Sequence, residues 1–133
     1  MGRDQSQKLK ADPPPAPPPL LVVSFEKYRK GEFCLSDCER PAVKGFADCL
    51  RMLCSLTYQQ LLLQSSKGPG KRGLNPTLYD DGDLKGARRP AHVPSHHRIC
   101  GVRAGDDDRL FGYFVGSVFY VLWFDSHHEI VPV

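Results

Sequence analysis

The chain has 133 residues, of which 41% are hydrophobic and 25% charged, with a net charge of +3. That length fits one domain of ordinary size. The mild positive balance excludes the strongly basic class of nucleic-acid binders and leaves neutral and weakly basic functions open.

Residues 1–19 form a Pro-rich leader, expected to be disordered, and residues 20–133 form a single domain. "PPPAPPP" cannot join a helix or a central strand and favours an extended polyproline conformation. "MGRDQSQKLK" contains no apolar run of the kind a secretory leader needs. Five cysteines without such a leader read as reduced thiols in a cytoplasmic protein.

"LLVVSFEKY" (Leu20–Tyr28) reads as a first strand. Ser36 with Glu39 makes a capping-box pattern, and Pro41 marks the start of the regular helix. The apolar positions Val43, Phe46, Ala47, Leu50, Leu53 and Cys54 fall on one helical face. Thr57 with Gln60 makes a second capping box, opening a short helix from Tyr58 to Gln64. "SSKGPGKRGLNP" breaks regular structure, and "TLYDDGDLKGARRPAHVPSHH" continues as irregular chain. The two together carry Lys71, Arg72, Arg88 and Arg89.

"HRICGVRAG" (His97–Gly105) reads as a strand. Ile99, Gly101 and Arg103 face one way, and Arg98, Cys100 and Val102 the other. The uncharged run from Leu110 to Phe124 is too short for a spanning helix and too rich in Phe, Tyr and Val to prefer one. Gly116-Ser117 inside it is a two-residue hairpin signal. It divides two antiparallel strands, Arg109–Val115 and Val118–Phe124. A short strand-like "EIV" follows. The fold class is α+β: two N-terminal helices packed on a mostly antiparallel C-terminal sheet, with no membrane association.

The residues that carry chemistry are basic. Arg98, Arg103 and Arg109 sit at strand ends, and guanidinium groups bind phosphate bidentately while staying charged. On a nucleic-acid reading Lys71, Arg72, Arg88 and Arg89 add a basic RNA-binding loop; the alternative reading makes these arginines solvated strand-end residues and salt-bridge partners of Asp106–Asp108. His127 and His128 offer proton transfer for RNA cleavage, in which a 2′-hydroxyl loses a proton and a 5′-oxygen gains one. No Gly-rich phosphate loop, Gly-x-Ser-x-Gly elbow or His-Glu-x-x-His motif is present. A zinc reading pairs Cys34 with Cys38 and Cys49 with Cys54, or uses the two His pairs. The looser cysteine spacing and the alternation of His127, His128 and Glu129 along an extended chain weigh against it.

The terminal "FGYFVGSVFYVLWFDSHHEI" resembles the ending of small bacterial and phage-associated proteins. These in turn resemble RelE/HigB-type toxins of toxin–antitoxin systems. The resemblance covers roughly Val22 to Val131 and is specific for the terminal hairpin. It implies helices on an antiparallel sheet whose basic residues bind and cut messenger RNA, often on the ribosome. It also implies an antitoxin as a protein partner. Arg98, Arg103 and Arg109 fit the strand-borne arginines, and His127 or His128 falls near the last strand. The cysteine-rich helix and the Pro-rich leader lie outside the toxin pattern.

The expected function is a toxin-like RNA-binding protein or metal-independent endoribonuclease, requiring no cofactor. The alternatives are a non-enzymatic protein-interaction domain from a mobile element and a small Cys/His zinc-binding protein.

Overall fold

The computed structural model describes residues 16–29, 33, 35–64, 73–105 and 108–132. Lys71, Arg72, Cys34 and most of the Pro-rich leader lie outside the described residues, and 16–19 are exposed, irregular chain.

The described chain runs β1 (Val22–Ser24), α1 (Arg40–Leu53), α2 (Tyr58–Leu62), β2 (Thr77–Tyr79), β3 (Ile99–Arg103), β4 (Arg109–Val115) and β5 (Val118–Asp125). The strands form one sheet in the order β1-β5-β4-β3-β2. Every pairing is antiparallel except β1 with β5, which is parallel. The architecture is α+β, as the sequence implies.

The β4–β5 hairpin turns on Gly116, whose φ of 59° is the left-handed value such a turn demands. From the turn the register runs regularly through Tyr113 opposite Tyr120, then slips between Phe111 and Gly112. Leu122 is the extra residue, a β-bulge. It lets Leu122 and Trp123 both pack on one face while Val121 and Phe124 pack on the other. Gly112 sits where a Cβ would run into the Tyr120 carbonyl oxygen, so glycine is what admits this close approach.

Each face of the sheet carries its own core. On one face α1 buries Phe46, Cys49 and Leu53 against Val102, Leu110, Phe119 and Phe124. The Phe46 ring meets Phe124 edge-on at 5.1 Å. The buried face of α1 is therefore rotated from the one predicted: Val43 is 40% exposed, and Ala47 and Cys54 are also on the surface. Cys49 takes the inward position, because it lies three residues after Phe46 and four before Leu53.

The other face packs Ile99, Phe111, Leu122 and Trp123 under irregular chain rather than under a helix. Its cover comes from Leu84, Ala87 and Val93 of the 80–98 segment and from Ile130 and Val131 near the C-terminal end. Each fully buried large side chain contributes roughly 1.5–3 kcal/mol through removal from water.

Several local expectations need correction. α1 begins at Arg40 with Glu39 as N-cap and no side-chain capping bond there, so Ser36 is not the residue at its N-cap. The Thr57–Gln60 box does form in both directions, at 3.1 and 3.0 Å. α2 ends at Leu62 rather than Gln64. Thr77–Tyr79, read as irregular, is an edge strand paired with β3. Glu129–Val131 forms no strand. Its backbone is used by Lys85 and Gly86, whose amides both donate to the Ile130 carbonyl.

Candidate functional site

The strand-borne arginines divide between two ends of the sheet. Arg103 and Arg109 are direct cross-strand partners, and Arg109 is in turn opposite Asp125. The bulge creates this last pairing, since an unbroken hairpin register would set Arg109 opposite Phe124. Arg98 precedes Ile99 at the other end of β3, five residues and roughly 17 Å from Arg103 at the usual strand rise. It pairs with Asp80 at 3.3 Å on the surface.

Asp125 organises the end that holds Arg103 and Arg109. Its carboxylate is 2% exposed and accepts the amides of His127 at 3.2 Å and Ile130 at 2.8 Å. His128 takes a left-handed backbone conformation, with φ at 54°. His127 is exposed and borders a cleft of about 630 Å³ at the start of α1. Glu39, Asp48 and Asp108 line the same cleft beside Lys44, so its charge is mixed. Arg109 Nη1 is buried without a hydrogen-bond partner among the described residues. This end therefore joins Arg103, Arg109 and His127, but one arginine is partly sealed and the nearby cleft carries carboxylates.

The other end of the helix-free face gathers a different group. Tyr113 and Tyr120 are cross-strand partners and stack at 5.2 Å with 20° between their planes. His97 lies against Tyr113 at 5.6 Å, and His96 against His97 at 4.3 Å. Four rings thus run across the sheet, with His96 exposed at one end and Tyr120 half-buried at the other. Tyr113 between them is only 4% exposed. Burial pushes its phenol up, so it stays neutral.

The cations at this site arrive from the chain after β1. The Arg29 amide donates to the carbonyl of the bulge residue Leu122 at 2.9 Å, tying this segment to β5. Lys27 is electrostatically coupled to Tyr113 and Tyr120. Its ammonium pairs with Glu26 at 3.0 Å, and the hydrogen bond and charge of Glu26 raise its pKa. His92, from the 80–98 segment, is lowered below the usual histidine value, first by burial and then by Lys27 and Arg29. Lys27 is thus coupled by charge to the tyrosine pair and to His92, and Arg29 to His92.

Arg89 and Arg88 belong to the same segment. Arg88 is exposed. The Arg89 side chain is only 13% exposed and bonds inward, to Asp81 and to the carbonyls of Pro94 and His97.

Sequence reasoning missed Lys27, Arg29, His92, Tyr113 and Tyr120. One signal was present. A two-residue turn at Gly116-Ser117 sets Val115 opposite Val118, which puts Tyr113 opposite Tyr120. The approach of Lys27 and His92 had no such signal, because it depends on the parallel β1–β5 pairing and on irregular chain. Among the described residues no group of three His, Cys, Asp or Glu side chains is arranged to hold a metal ion. Nor is any helix there long and apolar enough to cross a membrane. No family model matches this chain, and no curated protein or solved structure matches it.

Proposed function

We propose that this chain is a toxin-like RNA-binding protein that cleaves single-stranded RNA, free or on the ribosome, at the histidine-rich face of its sheet. One observation carries the reading: Lys27 is coupled by charge both to the stacked Tyr113–Tyr120 pair and to His92, while the Arg29 amide ties the same segment to the Leu122 carbonyl of β5. Half-buried Tyr120 supplies a ring for a base to stack on, and aromatic stacking is how unpaired RNA bases are commonly held. The Lys27 and Arg29 side chains bring positive charge to the phosphate.

The chemistry follows from protonation state. His92 is exposed at the surface, and partial desolvation together with Lys27 and Arg29 lowers its pKa, which favours the neutral form that can accept a proton. It takes the proton of the 2′-hydroxyl as the 2′-oxygen bonds to phosphorus. The bond from phosphorus to the 5′-oxygen breaks, and His97 returns a proton to that oxygen. Lys27 and Arg29 offset the charge that builds on the phosphorane. The step needs no metal. Arg103, Arg109 and His127, at the far end of β3 and β4, take no part in it.

The test is induced expression in bacterial cells, wild type beside Lys27→Ala/His92→Ala, with growth and total messenger RNA followed together. Growth arrest with RNA cleavage, both relieved in the folded double variant, is expected. Normal growth with intact RNA from folded wild type overturns the proposal. A second reading, a protein-interaction domain, draws on Leu20, Val22 and Phe25, which are 53%, 56% and 44% exposed along the β1 edge. An antitoxin or another protein partner would be sought there.

A further inference from the structure

We infer that Arg89 is a positioning residue that clasps the histidine-bearing loop onto the sheet, rather than a contact for RNA phosphate. The inference rests on the functional reading above and deepens it.

The loop in question has two turns. Val93 N–H donates to the Pro90 carbonyl at 3.0 Å, and His97 N–H donates to the Pro94 carbonyl at 3.1 Å. The first turn carries His92 and the second carries His96 and His97. Pro90 and Val93 are buried and, with Pro94, shape this segment, but no helix or ladder holds it.

Arg89 closes it. Arg89 Nε donates to Asp81 Oδ1 at 2.9 Å, fixing the guanidinium to the 3-10 turn at Asp81–Asp83. Nη1 donates to the Pro94 carbonyl at 2.9 Å and to the His97 carbonyl. One side chain therefore joins the start of the loop to its end, and the last attachment falls on the residue whose ring lies tilted against Tyr113. Only a planar fork makes these bonds at once; a lysine ammonium carries the charge without the geometry. The neighbouring cations show no such arrangement among the described residues: the Lys85 side chain bonds the nearby Gly82 carbonyl, and Arg98 meets Asp80.

The consequence for function is indirect. His97 and His92 must lie within a fraction of an ångström of their working places, and a misplacement of about 1 Å costs on the order of 100-fold in rate. Arg89 supplies that placement without touching RNA.

The test uses the full chain and a mixed-sequence single-stranded oligoribonucleotide. Wild type, Arg89→Lys, Arg89→Ala and Asp81→Asn are compared. The imidazole resonances of His92, His96 and His97 are followed by NMR, and RNA affinity is followed across salt concentrations. Backbone amides of α1 and β5 report that each variant remains folded. If Arg89 is a clasp, Arg89→Lys behaves like Arg89→Ala. The His97 ring then leaves the shielding of Tyr113, and affinity falls about tenfold or more through lost placement. The salt slope stays unchanged, and Asp81→Asn shifts the same histidine resonances in part.

If Arg89 instead contacts phosphate, Arg89→Lys keeps wild-type affinity and histidine shifts, while Arg89→Ala lowers the salt slope by about one. That outcome overturns the inference. Should wild type bind no RNA, the functional reading fails, and the histidine resonances alone then decide whether Arg89 is a clasp.

Discussion

Replacement of Asp125 isolates how one buried carboxylate holds the cover of the helix-free face. Its two oxygens accept two separate backbone amides, those of His127 and Ile130. Ile130 is fully buried among Leu84, Val93 and Trp123, and its carbonyl receives the amides of Lys85 and Gly86. In Asp125→Asn one oxygen remains to accept, and the new amide group opposes the other N–H. A buried donor left without an acceptor costs about 1–3 kcal/mol. Asp125→Ala removes both acceptors and costs roughly twice that, a large share of the 5–15 kcal/mol typical of a whole domain. It also removes the anion opposite Arg109 in the register. The assay is urea unfolding followed by the fluorescence of Trp123, the single tryptophan, which is fully buried. Faster exchange of the Ile130 amide should accompany the loss. Asp125→Asn within about 0.5 kcal/mol of wild type, the scatter of an ordinary surface change, would refute the reasoning.

Other substitutions test neighbouring parts of the argument. Gly112→Ala drives a Cβ into the Tyr120 carbonyl and the Phe119 ring, and should destabilise by about 1–3 kcal/mol or more in the same urea assay. Leu53→Ala, at a fully buried position, should cost about 2–5 kcal/mol. Leu63→Ala, 84% exposed, should fall within about 0.5 kcal/mol of wild type. Burial pushes the Cys49 and Cys100 thiols up to about 12, so at pH 8 a thiol reagent followed by peptide mapping should label Cys54 in the native protein and those two only on unfolding. His92 should titrate below an unfolded-chain histidine in NMR, and Lys27→Gln should raise its midpoint. Because its folded pKa is the lower one, its contribution to stability is present above the unfolded value and is lost as pH falls through the folded one.

The hairpin was legible because turn chemistry and strand composition agree: Gly116-Ser117 fixes where β4 ends and β5 begins. The Thr57–Gln60 cap was legible for the same reason, being local. The buried face of α1 was only partly legible. Val43 and Ala47 fit the helical period as well as Cys49 does, and the sheet rather than the helix decides which stripe is covered. β2 escaped because three residues between polar turns carry no periodicity. The cover on the second face escaped because irregular chain has none. The bulge at Leu122 had the largest consequence. It moves Asp125 opposite Arg109, makes both Leu122 and Trp123 core residues on one face, and offers the carbonyl that draws in Arg29.

The most direct measurement is an NMR titration of the full chain with a single-stranded oligoribonucleotide, read at both ends of the sheet at once. The account predicts shifts that cluster at Lys27, Arg29, His92, His97 and Tyr120, with Arg103, Arg109 and His127 unmoved. Shifts centred on Arg103, Arg109 and His127, or no shifts at either end, would contradict it.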